Sequence, residues 1–219
     1  MTFRNWISKV THSERYSLVK IIAPAIYRAV EQTERGTVCF VRDSKGYTPL
    51  TGVEIGVWKG VNAESILKTL NMKKLYLVDP YEPYMQKNIP QTTIATEKGF
   101  PISFKRLKEI SYNRLKKYRD RVEFIYKFSA DAVGLIPNGL DFVYIDGNHE
   151  YPYVKQDIDN YYPKVKQYGV LGGHDFNVDS MGVIKAVTQF VVRNDLELMV
   201  QNDDWWVRKD GYNRDVRRT

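Results

Sequence analysis

Two apolar runs in the second half of the chain each end in an aspartate with a histidine nearby. The first run ends at Asp146, and His149 follows three residues later. The second run ends at His174 and Asp175. The carboxyl ends of strands are where an α/β sheet carries its binding residues. Carboxylates and imidazoles there can hold a divalent cation or take up a proton, so these residues predict a polar reactive site.

A second candidate site lies upstream, where an apolar strand runs into a glycine-containing turn. Glu54 and Gly56 end the strand, and Trp58 and Gly60 precede a helix. Glycines let the backbone approach a ligand, with free amides facing it. The Gly-x-x-x-Gly spacing is not the Gly-x-Gly-x-x-Gly of dinucleotide sites, which disfavours a nicotinamide cofactor. Asp79 ends the next strand and is placed to accept hydrogen bonds from ribose hydroxyls, so the set predicts a nucleoside pocket. A tight turn with a helix-capping acid is the structural alternative.

The elements that position these residues alternate between apolar strands and amphipathic helices. The predicted strands cover residues 51–56, 75–79, 122–126, 141–146 and 169–171. The predicted helices cover residues 62–70, 104–118, 130–135, 153–166 and 182–193. Strands that alternate with helices indicate an α/β protein with a parallel sheet and helices on both faces.

Several segments depart from this alternation. A helix is predicted at residues 11–32, followed by an irregular stretch with a short strand at 37–41. Residues 196–201 and 205–209 read as a terminal hairpin, one strand of which runs antiparallel to the sheet. The proline-containing stretch 80–103 shows little periodicity, so we predict a lid or acceptor loop there.

Length and composition are those of one globular domain. The 219 residues are 43% hydrophobic and 27% charged, which suits a single sizeable core. We divide the chain into a helical extension at 1–50, a core at 51–209 and a basic tail at 210–219. Neither a signal peptide nor a membrane span is predicted, so we expect a soluble, cytoplasmic protein. The single cysteine, Cys39, excludes an internal disulfide and gives no metal-ligand spacing.

The chain is basic, with a formal net charge of +7. Such a charge is compatible with an anionic partner such as RNA. The excess is concentrated at residues 105–121 and in the tail. Apolar residues recur at helical spacing within 104–118, so the basic side chains there are interpreted as the solvated face of a helix. Nucleic acid is therefore not the expected partner.

Taken together, these segments resemble the class I S-adenosylmethionine-dependent methyltransferases. The resemblance covers about residues 51–209, including the terminal hairpin. Segments 11–15, 53–60, 141–151 and 204–207 are similar to those of the macrocin-type and rhamnosyl sugar O-methyltransferases. This resemblance implies a Rossmann-like fold with a seven-stranded, mostly parallel sheet and a C-terminal antiparallel hairpin.

The resemblance also implies S-adenosylmethionine as cofactor and assigns residues to it. Glu54 and Gly56 would flank the methionine moiety, and Asp79 would hold the ribose. Ser129 and Ala130, after the third strand, would line the adenine. The predicted cofactor-binding set is Glu54, Gly56, Trp58, Gly60, Asp79, Ser129 and Ala130.

Methyl transfer to a hydroxyl also requires a group that takes up the hydroxyl proton. A divalent cation can lower the pKa of the hydroxyl while an imidazole acts as general base. We predict that Asp146, His174 and Asp175 hold Mg²⁺ or Mn²⁺, and that His149 with Asp146 is catalytic. The structural alternatives are a loop-fixing hydrogen bond for His149 and a helix cap for His174 and Asp175.

The chain departs from the family pattern at two places in this second site. The family commonly has an acid or an amide near His174, and imidazole favours Mn²⁺ over Mg²⁺. The family often has Asp-Gly-Asp where this chain has Asp146, Gly147 and Asn148. The usual base candidate is thereby removed, and His149 is its natural replacement.

We therefore expect a metal-assisted O-methyltransferase that acts on a hydroxyl of a sugar or glycan. An RNA ribose methyltransferase and a noncatalytic S-adenosylmethionine-binding module stay open as alternatives. Base amines are not expected acceptors, because the Asn/Asp-Pro-Pro-Tyr/Phe motif of amino-directed enzymes is absent after the fourth strand. The sequence names neither the sugar nor the metal, and a monomer and a homodimer both stay open.

Overall fold

Seven strands from the described part of the chain form one central sheet. The computed structural model describes residues 35–83, 85–86, 89–90, 94–97 and 100–209. The strands in that part of the chain are β1 (Leu50–Ile55), β2 (Met72–Val78), β3 (Met85–Gln86), β4 (Ile89–Pro90), β5 (Ile94–Glu97), β6 (Phe100–Ser103), β7 (Val122–Ile125), β8 (Leu140–Ile145), β9 (Val165–Gly173), β10 (Met199–Gln201) and β11 (Asp204–Arg208).

Helices connect successive strands in about half of the cases. The described α-helices are α1 (Gly36–Lys45), α2 (Val61–Thr69), α3 (Phe104–Leu115), α4 (Ser129–Ala132), α5 (Tyr151–Tyr161) and α6 (Met181–Asn194). Short 3₁₀ turns follow three of them, at Lys116–Tyr118, Val133–Leu135 and Tyr162–Lys164, and a fourth at Val178–Ser180 precedes α6. In the described part of the chain, no helix has the length and apolar character needed to cross a membrane.

The sheet has seven strands in the order β10-β11-β9-β8-β1-β2-β7. Strands β7, β2, β1, β8 and β9 run parallel to one another. Strand β11 is antiparallel to both β9 and β10. The predicted fold class, a mostly parallel seven-stranded sheet with a C-terminal antiparallel hairpin and helices around it, is confirmed.

Helices cover both faces of this sheet, so the central strands are apolar on both sides. All six residues of β8 are buried, as expected for a central parallel strand. One core lies between the sheet and helices α5 and α6, and the other lies under α1 and α2. Trp205 belongs to the first core and Trp206 to the second, because neighbouring side chains of a strand point to opposite faces.

The short strand predicted at 37–41 is wrong, because this segment lies in helix α1. Its β-branched residues favour a strand in isolation. In the structure Thr37, Val38 and Val41 are buried on one face of the helix, at the spacing of 3.6 residues per turn. The helix packs against β11 and β9. A Cβ on Gly172 would lie 2.6 Å from Thr37 Cγ2, so the close approach of helix and sheet requires glycine there.

Other differences concern the ends and connections of elements. The helix predicted at 153–166 ends at Tyr161, because Pro163 falls in a 3₁₀ turn and β9 already begins at Val165. Within the predicted lid at 80–103, the described residues form two short antiparallel pairs, β3 with β4 and β5 with β6. The helix predicted at 11–32 and the tail at 210–219 lie outside the described residues.

The basic segment is an amphipathic helix, as predicted. Leu107, Ser111 and Leu115 form the buried face of α3. Arg114 and Lys117 reach across to Glu64 on α2, each with a nitrogen 3.1 Å from its carboxylate. Part of the basic charge is thus paired within the protein.

Glu64 provides a test of how much this contact between helices contributes to folding. Partial burial raises its pKa, but hydrogen bonds from Lys117, Arg114 and Lys68 outweigh that effect and hold the pKa at about 2. Because the folded pKa lies below the unfolded value of about 4.3, the stabilisation is present above that value and is lost as the pH falls toward 2.

We expect Glu64→Gln to lower the free energy of unfolding at pH 7 by about 1 kcal/mol, since exposed partners weaken ion pairs. The difference from wild type should shrink between about pH 4.3 and pH 2 in urea titrations. Glu109→Gln is the matched control, because Glu109 meets only the exposed Arg106 at 3.3 Å among the described residues. A pH-independent difference would contradict the assignment.

Candidate functional site

The carboxyl ends of β1 and β8 approach each other so closely that only glycine fits between them. Gly56 has a φ of 84°, in the left-handed region that glycine adopts most readily. A Cβ on Gly56 would collide with the carbonyl oxygen of Asp146. The Asp146 amide donates to the Ile55 carbonyl at 2.7 Å. The turn after β1 and the turn after β8 therefore form one continuous surface.

A single carboxylate organises the turn after β1. Asp79 Oδ2 accepts hydrogen bonds from the amides of Val57 and Trp58, each at 2.9 Å. Asp79 Oδ1 accepts a third from the Tyr81 amide, also at 2.9 Å. Burial raises the pKa of Asp79, and these three bonds oppose the rise by favouring the charged form.

These bonds correct the expectation that free amides of this turn face a ligand. The amides of Val57 and Trp58 are bound to Asp79, and the Gly56 amide donates to the Val78 carbonyl at 2.9 Å. A carboxylate has about four acceptor positions, so Asp79 keeps one on Oδ1. That position leaves room for one ribose hydroxyl rather than two.

The turns after β1 and β2 are also joined by an aromatic side chain. The Tyr81 hydroxyl donates to the Trp58 carbonyl at 2.8 Å. Trp58 and Tyr81 have φ values of 50° and 51°, a left-handed conformation that is unfavourable for bulky residues. Such conformations persist where the surroundings over-determine them, which is common at binding sites.

A cavity of about 420 Å³ opens over these turns. Its lining combines apolar and aromatic side chains with a few polar groups, as is usual for small-molecule sites. The residues that line it are Ile55, Gly56, Trp58, Val78, Asp79, Pro80, Tyr81, Glu82, Pro83, Phe104, Leu107, Phe128, Ser129, Asp146, Gly147, Asn148, Tyr153 and Asp157. Four residues of the predicted cofactor set, Gly56, Trp58, Asp79 and Ser129, are therefore at the cavity.

The other three residues of that set do not line the cavity. Gly60 has a φ of 70° and stands at the N-cap of α2, where its amide donates to the Val57 carbonyl at 2.8 Å. Ala130 lies within α4. Glu54 is buried beneath the turn, with Oε1 accepting from Asn62 Nδ2 at 2.9 Å. Burial raises the pKa of Glu54 to about 8, against the opposing effect of the bond from Asn62.

Asp146, His149 and Asp175 come together at the ends of β8 and β9. His149 Nε2 lies 3.0 Å from Asp175 Oδ2 and 3.8 Å from Asp146 Oδ1. One ligand atom of each residue lies within 4.8 Å of the others. Asp175 has a φ of 59°, so its carboxylate is presented from a strained turn.

The charges in this cluster reinforce one another. The carboxylates of Asp146 and Asp175 face the His149 imidazole, which donates to Asp175, and they raise its pKa to about 10, although burial opposes the rise. Burial raises the pKa of Asp175, but the bonds from His149 and His174 outweigh it and bring that pKa well below its usual range. Without a cation, a protonated His149 therefore offsets part of the charge of the two carboxylates.

The donor set of this cluster fits a divalent cation. Two carboxylates and an imidazole suit Mn²⁺, and carboxylates suit Mg²⁺. Ligands at about 2.1 Å from an octahedral ion lie about 3.0 Å from their neighbours. The separation of 3.0 Å between His149 and Asp175 is close to that spacing, and the separation of 3.8 Å between His149 and Asp146 is wider. The third member of the cluster is His149, whereas the sequence predicted His174.

His174 lies beside the cluster rather than in it. Its Nδ1 is 3.3 Å from Asp175 Oδ1, and burial lowers its pKa while the hydrogen bond that it donates to Asp175 raises it, with a net rise. The helix-cap alternative for His174 and Asp175 is wrong. Asn177 caps the 3₁₀ turn before α6 by accepting from the Asp179 amide at 3.0 Å. The loop-fixing role of His149 is compatible with its bond to Asp175.

Sequence reasoning missed several polar residues at the site. Arg35, before α1, lies 4.0 Å from Asp146 Oδ2 and 3.8 Å from Asp204 Oδ1. Asn148 Nδ2 is buried without a hydrogen-bond partner in the described part of the chain. Glu82 and Asp157 line the cavity. The asparagine at position 148, where the resemblance to the sugar O-methyltransferases often implies an aspartate, is the one sequence signal that points to any of them.

A family model described as a methyltransferase domain matches residues 53–176, more than half of the chain. The chain belongs to this methyltransferase family. It is also 27% identical over 133 residues to the uncharacterized protein R132 of Acanthamoeba polyphaga mimivirus. That match covers 58% of this chain and 52% of the relative, so the chain spans about half the length of the relative.

Solved structures share the architecture of this chain. The O-methyltransferase NovP has a TM-score of 0.59 at 20% identity, with 80% of this chain and 78% of that chain covered. An rRNA methylase from Streptococcus thermophilus has a TM-score of 0.53 at 11% identity, with coverage of 78% and 92%. At these identities the likeness shows the fold alone. The macrocin-type subfamily and the predicted site residues stay predictions.

The role of Asp79 as organiser of the cavity can be tested directly. We expect Asp79→Ala to lower the free energy of unfolding by about 2–3 kcal/mol, because three amides lose their acceptor. Affinity for S-adenosylhomocysteine should fall at least about tenfold, which is roughly one charge-assisted hydrogen bond. Urea titration and calorimetry measure the two effects.

Asp43→Ala is the control for this measurement, since Asp43 is exposed on α1 beside Arg42. Asp79→Asn should be intermediate, because an amide keeps one acceptor oxygen. Wild-type stability in Asp79→Ala would show that the three bonds do not hold the turn.

Proposed function

We propose that this methyltransferase transfers a methyl group from S-adenosylmethionine to a hydroxyl of a sugar or glycan, assisted by a divalent cation. The observation that carries the proposal is the position of Asp146. This residue lines the cavity and also belongs to the cluster with His149 and Asp175. A methyl donor in the cavity and an acceptor hydroxyl at the cluster would thus share one wall.

The cavity supports the cofactor part of the proposal. Bound S-adenosylmethionine would supply an electrophilic methyl group. Gly56 and Gly147 leave the cavity floor without side chains, and a Cβ on Gly147 would meet its nearest atom only at 3.6 Å. Asp79 keeps one acceptor position for a ribose hydroxyl, and Ser129, which the family resemblance assigns to the adenine, lines the cavity.

The cluster supports the activation of a hydroxyl. A divalent cation at Asp146 and Asp175 would lower the pKa of a hydroxyl that it contacts. His149 is held by Asp175, which fixes the orientation of the imidazole. Its raised pKa keeps His149 protonated at neutral pH while no cation offsets the charge of the two carboxylates. The imidazole must lose this proton before it can take one from the acceptor.

The surroundings favour a sugar over RNA as the acceptor. Trp58 and Tyr153 line the cavity and are 42% and 38% exposed, and such rings pack well against sugar faces. The basic helix α3 is partly engaged within the protein. Arg114 and Lys117 contact Glu64, and Lys108 Nζ lies 3.4 Å from the centre of the Tyr126 ring. That leaves less of its charge for a phosphate backbone.

A methyl-transfer screen tests the proposal. With labelled S-adenosylmethionine, we expect transfer to a glycoside or nucleotide sugar that is stimulated by Mn²⁺ or Mg²⁺ and abolished by excess chelator. Structured RNA should accept no label at physiological salt. Label on RNA that declines steeply with salt would instead support the ribose-directed alternative. Binding of cofactor without transfer to any acceptor would support a noncatalytic module.

Substitutions separate the cation from the base. Asp175→Ala should abolish turnover and Mn²⁺ binding and leave S-adenosylhomocysteine affinity within about twofold of wild type, since Asp175 does not line the cavity. His149→Ala should lower turnover about 10²- to 10⁴-fold. Wild-type turnover should rise with pH as His149 loses its proton.

Direct Mn²⁺ titration of His149→Ala shows which role the imidazole has. Retained Mn²⁺ affinity assigns His149 as the base, and a large loss assigns it as a ligand. Asp179→Ala is the control, because Asp179 is exposed in the adjoining 3₁₀ turn. Full activity of wild type in excess chelator would remove the cation from the mechanism.

A further inference from the structure

A buried carboxylate at the cavity has no part in the reaction proposed above. Asp157, on α5, is only 3% exposed and lines the cavity. Its Oδ1 accepts a hydrogen bond from the Ser129 hydroxyl. Its Oδ2 faces the turn after β8, where a Cβ on Gly147 would lie 3.9 Å from it. The carboxylate is therefore held from one side and open on the other.

The Asp157 carboxylate has more acceptor positions than it has hydrogen-bond donors around it. The Ser129 hydroxyl is its one hydrogen-bond donor in the described part of the chain. The Ser129 carbonyl is itself occupied by the Tyr161 hydroxyl at 2.8 Å. Burial raises the pKa of Asp157 to about 6, and the Ser129 bond opposes the rise. At neutral pH a buried anion with one neutral partner lacks donors.

We infer that Asp157 accepts a hydrogen bond from the exocyclic amine of adenine and thereby selects adenine over 6-oxopurines. This inference rests on the proposed function, which puts an adenine nucleoside in the cavity. Adenine presents a donor at position 6, whereas hypoxanthine presents a carbonyl oxygen there. The donor would satisfy Asp157 Oδ2, and the carbonyl would face a carboxylate oxygen. Asp157 is thus a specificity-determining residue for the cofactor.

The nearby side chains support a flat base at this place. Phe128 precedes Ser129, lines the cavity and is 40% exposed. Aromatic faces bind planar bases by stacking and tolerate any base. A hydrogen bond to one edge is then needed to tell purines apart. The hydrogen bond from Ser129 holds the Asp157 carboxylate in place. Both residues line the cavity, so Asp157 is positioned to bond the edge of such a base.

The test compares S-adenosylhomocysteine with S-inosylhomocysteine, which differ at position 6 of the purine. Calorimetric affinities are measured for wild type, Asp157→Asn and Asp159→Asn. Wild type should prefer S-adenosylhomocysteine at least about 30-fold, because a site built to bond one group rejects the analogue that lacks it. In Asp157→Asn the preference should fall to within about threefold, with a gain in S-inosylhomocysteine affinity, since an amide can donate to the carbonyl.

Asp159→Asn is the matched control. Asp159 is two residues further on α5 and is paired with Lys155 and Arg193. It does not line the cavity, so its variant should keep the wild-type preference. The gain for S-inosylhomocysteine is the informative signal, because a substitution that only disturbs packing weakens both ligands.

The outcomes separate this inference from the proposed function. If wild type binds neither ligand, both the inference and the proposed function are overturned. Wild type that binds the two ligands equally overturns the role of Asp157 alone, and this holds even when Asp157→Asn fails to fold. An unchanged preference in a folded Asp157→Asn protein also overturns it. Ser129→Ala keeps the carboxylate and should keep a preference for S-adenosylhomocysteine above about tenfold, and loss of that preference would assign selection to the hydroxyl.

Discussion

The close contact between Gly56 and the Asp146 carbonyl is the constraint on which the site depends. Parallel strands β1 and β8 are neighbours in the sheet, so the turns after them leave at the same edge. No side chain fits at residue 56, and the turns therefore meet without a gap. Asp146 belongs both to the cavity and to the acid–histidine cluster, which consists of Asp146, His149 and Asp175. The backbone contact between Gly56 and Asp146 therefore sets the distance between the two halves of the site.

Buried charges behind this edge extend the constraint to the start of the described chain. Asp204, on β11, accepts from the Tyr144 hydroxyl at 2.8 Å and from the Thr37 amide at 3.0 Å. Arg35 lies between Asp204 and Asp146. Buried carboxylates are tolerated when such partners compensate them. Helix α1 is thus tied to the sheet by polar contacts as well as by packing, and Arg35 adds a positive charge beside the cluster.

Features set by periodicity can be predicted from the sequence, whereas features set by tertiary contacts cannot. The parallel sheet, the antiparallel hairpin and the convergence of Asp146, His149 and Asp175 result from alternating elements and the common edge of parallel strands. The segment at Thr37 has strand-like residues, and only its packing on β9 and β11 makes it helical. Asp157 sits in an amphipathic helix, where a lone aspartate reads as a solvated residue. It is buried, and its hydrogen-bond partner Ser129 lies 28 positions away.

The acid–histidine cluster brings a proton and a cation into competition for the same two carboxylates. Asp146 and Asp175 hold the proton on His149 by the same electrostatic attraction that would hold a divalent ion. Charge on a cation there would oppose the charge on the imidazolium and lower its pKa. On the proposed function, occupancy of the cluster would thus prepare His149 to take up a proton at neutral pH. The raised pKa of His149 without a cation then results from the same two carboxylates whose negative charge suits a divalent ion.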